Sequence, residues 1–138
     1  MTDANVETDG TLTIRQLLAA ARARIHRHDA PSALAAQANG AVIVDTRCGE
    51  ARAATGSIPG SVHIPLSVLY WRLDPTSGHH IAELADRDRH VILVCADGYS
   101  SSLAAATLRD LGFPRADDLD GGFNGWVSAG FPIEFDEA

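Results

Sequence analysis

Cysteine is scarce in this chain: 138 residues contain two, Cys48 and Cys95. A disulfide scaffold is therefore excluded as the main source of stability, because a domain of this length buries enough apolar surface to fold on its own core. No apolar run approaches the length of a membrane span. The opening decapeptide "MTDANVETDG" has neither the basic region nor the apolar segment of a secretory leader. A cytoplasmic protein with reduced thiols is the expectation. Positive charge is the minority sign, with 11 basic against 18 acidic residues and a formal net charge of -7. That field repels nucleic acid and anionic membranes, and it disfavours anionic small substrates unless a local site overrides it. Repeats, low-complexity tracts and internal linkers are missing between residues 12 and 134. The expected organisation is a flexible, acidic N-terminal tail over 1–11 and a single domain over 12–138.

Periodic apolar patterning organises the remainder. Thr13 and Gln16 form a capping box ahead of Ile14, Leu17, Leu18 and Ala21, which predicts a helix with one apolar face. After "IHRH", Pro31 suits the first turn of a second helix that Asn39-Gly40 would end. "AVIVDT" (41–46) and "VILVC" (91–95) are short β-branched runs of the kind buried on both faces of a parallel sheet. "SVHI" (61–64) predicts a short strand, "LSVLYWRLDP" a helix stopped by Pro75, and "IAELADRD" (81–88) another short helix. Leu103, Thr107, Leu108 and Leu111 mark a helix closing at Gly112, and "GGFNGW" opens a final turn and helix. Buried strands separated by helices predict an α/β fold with three layers, a mostly parallel central sheet flanked by helices. In such folds ligands bind at the carboxyl ends of strands, where Asp45 and Cys95 both lie.

Cys95 ends its strand, turns through a glycine-containing loop and is followed by a helix starting near Ser101. That places the sulfur close to unpaired backbone N–H groups and to the positive end of a helix dipole, both of which favour thiolate, the nucleophilic form. Gly98 allows the loop to bend with its amides inward. Spacing alone leaves open the alternative that Cys95 is a small buried hydrophobe.

The succession "VIVDTR", "GSIPGSVHIP", "VILVCADGYSSSLAAATLRDLGF" and "LDGGFNGWVSAGFP" resembles the rhodanese-like domain of the single-domain sulfurtransferase type, over nearly all of the chain after the tail. The resemblance implies a sulfurtransferase: Cys95 takes a sulfane sulfur from thiosulfate or a persulfide, becomes a cysteine persulfide, and passes the sulfur to cyanide, a small thiol or a protein acceptor. It implies no cofactor and no metal. The loop of Ala96, Asp97, Gly98, Tyr99 and Ser100, with Ser101 at the helix start, would supply amide and hydroxyl donors to the substrate. Asp45 and Arg47 match the family's Asp-x-Arg and are expected to hold backbone near the pocket.

This chain departs from the family at several positions. Thiosulfate-active members often carry Arg or Lys where Ala96 and Ser100 stand, and Asp97 adds a negative charge that would repel a dianionic donor. Arg72 is the candidate cation reaching the pocket from elsewhere, with a surface pairing to Asp74 or Glu83 as its alternative. The family's histidine before Ile-Pro-Gly is Ser57. Cys48 is either a resolving thiol or an incidental loop cysteine. A phosphatase of similar architecture needs an arginine after five intervening residues, a position occupied by Ser101. Among the six histidines, His26 with His28 and His79 with His80 lie close in sequence, but spacing supplies no third ligand, so no metal site is expected. "GGFNG" lacks a dinucleotide fingerprint, and Trp71 and Trp126 suit a core or pocket wall. The rival class is a binding or regulatory module of the same fold that keeps the cysteine without turnover.

Overall fold

The computed structural model describes residues 10–136, so the expected tail lies largely outside the described residues. Helix α1 (Ile14–Arg22) is followed by strand β1 (Arg27–His28), α2 (Ala30–Ala38) and β2 (Val42–Asp45). Next come α3 (Gly49–Thr55), β3 (Val62–His63), a 3-10 turn (Leu66–Val68), α4 (Leu69–Leu73) and β4 (Val91–Val94). The chain finishes with α5 (Ser100–Asp110), β5 (Ala116–Leu119) and α6 (Gly122–Ser128). The five strands form one sheet in the order β1-β5-β4-β2-β3, and every pairing is parallel. The expected α/β architecture is present.

The strands divide the core by alternation, since successive side chains point to opposite faces. Val42, Val44, Val91 and Leu93 pack with Leu69, Leu73, Leu108 and Phe113. Ile43, Ile92, Val94 and Leu119 pack with Ala33, Phe123 and Trp126 on the other face. Leu108 is fully enclosed, and its truncation to alanine at such a site costs about 2–5 kcal/mol. With α4 and α5 on one face and α2 and α6 on the other, the sheet is held rigid beneath the loop that follows β4.

Local signals explain most boundaries. Thr13 Oγ1 accepts from the Gln16 amide while Gln16 Oε1 accepts from the Thr13 amide, the reciprocal cap that starts α1. Asp29 caps α2, and Asn39 ends it. Three elements, β1, α3 and β5, have no counterpart in the sequence reading. The predicted helix over 81–88 is instead a succession of turns. Asp86 Oδ1 accepts from the Asp88 amide at 2.9 Å, a local side-chain bond that competes with helix, and of that stretch's apolar residues only Leu84 is buried.

Candidate active site

Cys95 follows the last residue of β4 and is 7% exposed. The amides of Gly98 and Ser101 donate to its sulfur at 3.1 and 3.4 Å. Its carbonyl is turned the other way, accepting from Phe123 N at 2.8 Å, while Ala96 O accepts from Asn124 N at 3.0 Å. The first turn of α6 thus holds the carbonyls at the loop's start, and the loop's own amides are left for the sulfur. Burial pushes the Cys95 thiol up, but the Ser100 hydroxyl and the amides of Ser101 and Gly98 act against it, and the net shift is downward.

Two glycine contacts allow this arrangement. Gly122 sits at φ +62°, and a Cβ there would lie 2.5 Å from Cys95 O and 2.7 Å from Ala96 O. Gly98, at φ +86°, would place a Cβ 2.8 Å from Gly121 N. The Gly-Gly-aromatic motif is therefore a packing surface for the cysteine loop, since only glycine leaves room for backbone against backbone.

The cations absent from the loop come from outside it. Arg22 of α1 and Arg27 of β1 donate through Nη2 to the carbonyl of Gly98, at 2.7 and 2.8 Å. Arg27 is anchored by Asp118, which is fully buried and accepts from Arg27 Nε at 3.0 Å. The Ser101 and Ser102 hydroxyls donate to Asp118 Oδ2 at 2.8 and 2.7 Å. Arg22 Nε reaches Ser102 Oγ at 3.0 Å, and its guanidinium lies 5.5 Å from the Tyr99 ring centroid. Arg22, Arg27 and Asp118 are the residues that sequence reasoning missed. Arg22 reaches the loop because α1 packs on α5, and Arg27 because β1 pairs with β5 beside Asp118, long-range contacts that the sequence around the loop does not show.

The remaining predicted residues are distributed as follows. Ala96, Asp97 and Tyr99 are exposed at the mouth, Gly98 and Ser101 are buried, and Ser100 is half-buried at the start of α5. Asp97 Oδ1 accepts from Asn124 Nδ2 at 2.8 Å, which ties its carboxylate toward α6. Arg72 donates to His79 O at 2.7 Å; Asp74, its expected partner, pairs with Arg87 at 3.6 Å. Among the described residues no hydrogen bond or ion pair joins Arg72 to the cysteine loop. Asp45 and Arg47 form a buried bidentate pair, with Nη2–Oδ2 at 2.8 Å and Nε–Oδ1 at 3.0 Å. Arg47 also donates to Gly56 O at 2.7 Å and stacks over Phe123 at 3.9 Å. This pair braces β2, α3 and α6 and does not touch the sulfur. Ser57 exchanges backbone hydrogen bonds with Glu134 at 2.8 and 2.9 Å, holding the C-terminal segment against the Ile-Pro-Gly turn. Cys48 is exposed and precedes α3, and both cysteines are free thiols. Among the described residues no helix is long and apolar enough to cross a membrane.

Comparison with known proteins identifies relatives of the whole domain. The model of the rhodanese-like domain matches residues 29–129. The thiosulfate sulfurtransferase GlpE of Ectopseudomonas mendocina (strain ymp) is 42% identical over 98 residues, covering 71% of this chain and 80% of the relative. GlpE of Pseudomonas entomophila (strain L48) is 39% identical over 99 residues, covering 70% and 79%. Among solved structures, a protein of unknown function from Rhodopseudomonas palustris CGA009, described as a "Possible Tyrosine Phosphatase", superposes with a TM-score of 0.82 at 33% identity, covering 90% of this chain and 96% of that one.

Proposed function

The chain belongs to the rhodanese-like domain family, and from that premise we propose that it is a sulfurtransferase working through a Cys95 persulfide. The observation that carries the reading is the pair of amides, Gly98 and Ser101, donating to a sulfur whose thiolate form the loop favours. The Cys95 thiolate attacks the outer sulfur of a sulfane donor. The S–S bond of the donor breaks, its electron pair leaves with sulfite or a thiolate, and Cys95 carries one extra sulfur. A nucleophilic acceptor, cyanide or a thiol, then attacks that outer sulfur and Cys95 leaves as thiolate, so the cycle closes without net oxidation of the enzyme. The amides of the loop from Ala96 to Ser101 stabilise the negative charge on the transferred sulfur.

Thiosulfate is the sulfur donor that the names of the GlpE relatives carry. For this chain we assign preference to a less charged persulfide donor, because Asp97 is exposed in the loop, and Arg22 and Arg27 are engaged by the Gly98 carbonyl. A groove of about 560 Å³, lined by Ile14, Leu18, Tyr99 and Leu103 together with Arg15 and Ser100, runs beside the loop, and its apolar wall suits an organic persulfide. Phosphatase chemistry is disfavoured: the position that needs a phosphoryl-clamping arginine holds Ser101, fully buried and committed to Asp118.

The test is intact-protein mass. Reduced wild type and Cys95→Ser are incubated with thiosulfate or, separately, with a persulfide donor, and then with cyanide. The expected result is one sulfur gained by wild type alone, faster from the persulfide, and released as thiocyanate. Loading of Cys95→Ser would overturn the nucleophile assignment. Failure of both donors would favour a binding module.

A further inference from the structure

Asp117 and Asp118 are consecutive in β5, so they face opposite sides of the sheet. Asp118 serves the cysteine loop. Asp117 serves a second cluster that the sulfur chemistry does not use. His28 Nε2 and His90 Nε2 both converge on its Oδ2, at 3.1 and 2.9 Å. These three ligand atoms lie within 4.8 Å of one another, the one such group of metal-competent side chains found among the described residues. His28 and Asp117 are each 5% exposed, while His90 is half-buried and leaves a way in from solvent.

We propose that His28, His90 and Asp117 form a binding site for a tetrahedral divalent cation of the zinc class, with water as the fourth ligand. Two imidazole nitrogens and one carboxylate oxygen are the donor set such an ion takes. Bonds of about 2.0–2.1 Å at tetrahedral angles separate ligand atoms by about 3.3 Å, so an ion entering between Oδ2 and the two nitrogens widens the present contacts by only a few tenths of an ångström.

The outer atoms of the same residues are already held in the orientation that ligation requires. His28 Nδ1 meets Ser32 Oγ at 2.8 Å, which fixes the ring and leaves Nε2 for the ion. Asp117 Oδ1 accepts from Arg109 Nη2 at 2.7 Å and from His26 N at 3.0 Å. Arg109 therefore occupies one carboxylate oxygen and leaves the other. Partners of this kind behind metal ligands set ring orientation and affinity. The site would join β1, the residue before β4, and β5. Since β1 is a two-residue edge strand, an ion on His28 would fix the neighbouring Arg27 in its place behind the Gly98 carbonyl.

The experiment uses untagged Cys48→Ser/Cys95→Ser protein, in which neither thiol competes for metal. It is titrated with Zn²⁺ by calorimetry and with Co²⁺ by visible absorption, which is intense for a tetrahedral ion. The expected result is one ion per chain, a tetrahedral Co²⁺ spectrum and a melting temperature that rises with Zn²⁺. Replacing the half-buried His90 (His90→Gln) removes a ligand and is expected to abolish all three. Ser32→Ala, which removes only the hydroxyl behind His28, is expected to weaken affinity by roughly 10- to 100-fold. Circular dichroism of each variant without metal establishes that it is folded. No saturable binding in the parent, or binding unaltered by His90→Gln in folded protein, would overturn the proposal. Neither outcome bears on whether Cys95 carries sulfur, which mass measurement reads separately.

Discussion

Arg27 Nη2 donates to the carbonyl oxygen of Gly98 at 2.8 Å, across 71 positions of sequence. Gly98 is the residue whose amide donates to the Cys95 sulfur, so one loop residue faces the sulfur with its N–H and two arginines with its C=O. In a planar trans peptide the N–H of Tyr99 points away from the arginines that hold the Gly98 carbonyl. Arg22 and Arg27 thus fix the bend of the loop and polarise its peptide from behind. Attraction between Arg27 and the Cys95 thiolate acts in the same direction, and Arg27 in turn is held in its charged form by Asp118 against its own burial.

Arg27→Gln should therefore make Cys95 a weaker nucleophile at neutral pH. The expected outcome is an iodoacetamide alkylation profile moved to higher pH, with a rate at pH 7 lower by about tenfold, one pKa unit. Asp118 would also lose its charged partner while remaining buried, at a cost of about 3 kcal/mol read by urea unfolding. Arg22→Gln should slow alkylation without a comparable stability loss, because among the described residues no carboxylate is paired with Arg22. An alkylation profile unchanged in both variants would remove the arginines from the chemistry.

The thiol shift has a thermodynamic counterpart. Cys95 has a folded-state pKa below its ordinary value, whereas in the unfolded chain it titrates near 8.5. The thiolate's contribution is thus fully present above the unfolded pKa and is lost as pH falls through the folded one. The stability of wild type relative to Cys95→Ser should rise with pH across the window between those two values and be flat on either side. Parallel urea titrations of the two proteins at several pH values check this. A difference that falls with rising pH would mean the loop favours the thiol.

Sequence made the central strands and the cysteine loop legible, and it hid what surrounds them. "AVIVDT" and "VILVC" announce themselves because both faces are buried in hydrocarbon. "ADDL" does not, although β5 is equally buried, since its two carboxylates are matched by partners that lie 89 and 91 positions away in β1 or arrive from α5 and from His90. A buried acid reads as a surface residue until its cations are placed. Arg72, the cation that the sequence offers to the pocket from another element, has its guanidinium taken by the His79 carbonyl. Arg22 and Arg27 lie on α1 and a two-residue strand that alignment to the cysteine motif does not reach. The third metal-competent group was hidden for the same reason: His28 and Asp117 are 89 residues apart.

Gly122→Ala tests the backbone contact on which the loop's direction depends. The added methyl meets Cys95 O at 2.5 Å at a residue with φ +62°. The left-handed conformation alone costs an alanine roughly 1 kcal/mol, and the clash is with backbone that cannot step aside. A loss of about 3 kcal/mol or more in urea unfolding is expected, with sulfur loading at Cys95 falling further than in Gly130→Ala. Gly130 also has positive φ but has open space around it, so it isolates the conformational cost. Equal effects at the two glycines would show that the loop contact contributes nothing specific.

Asp97→Asn addresses the donor. Asp97 is exposed and tied to Asn124 at 2.8 Å, and it is the one ionisable carboxylate in the cysteine loop. A dianion roughly 8 Å from one like charge in a water-like dielectric is disfavoured by about 1 kcal/mol, a factor of about five in apparent affinity. The asparagine keeps an oxygen able to accept from Asn124, so the loop's shape is retained while its charge is removed. KM for thiosulfate is expected to fall by about that factor with kcat little changed, because the repulsion acts on approach and persists in the bound state. A neutral persulfide donor should show no such change, and raising ionic strength should shrink the difference between variant and wild type. Equal gains for charged and uncharged donors would instead place the effect in loop geometry.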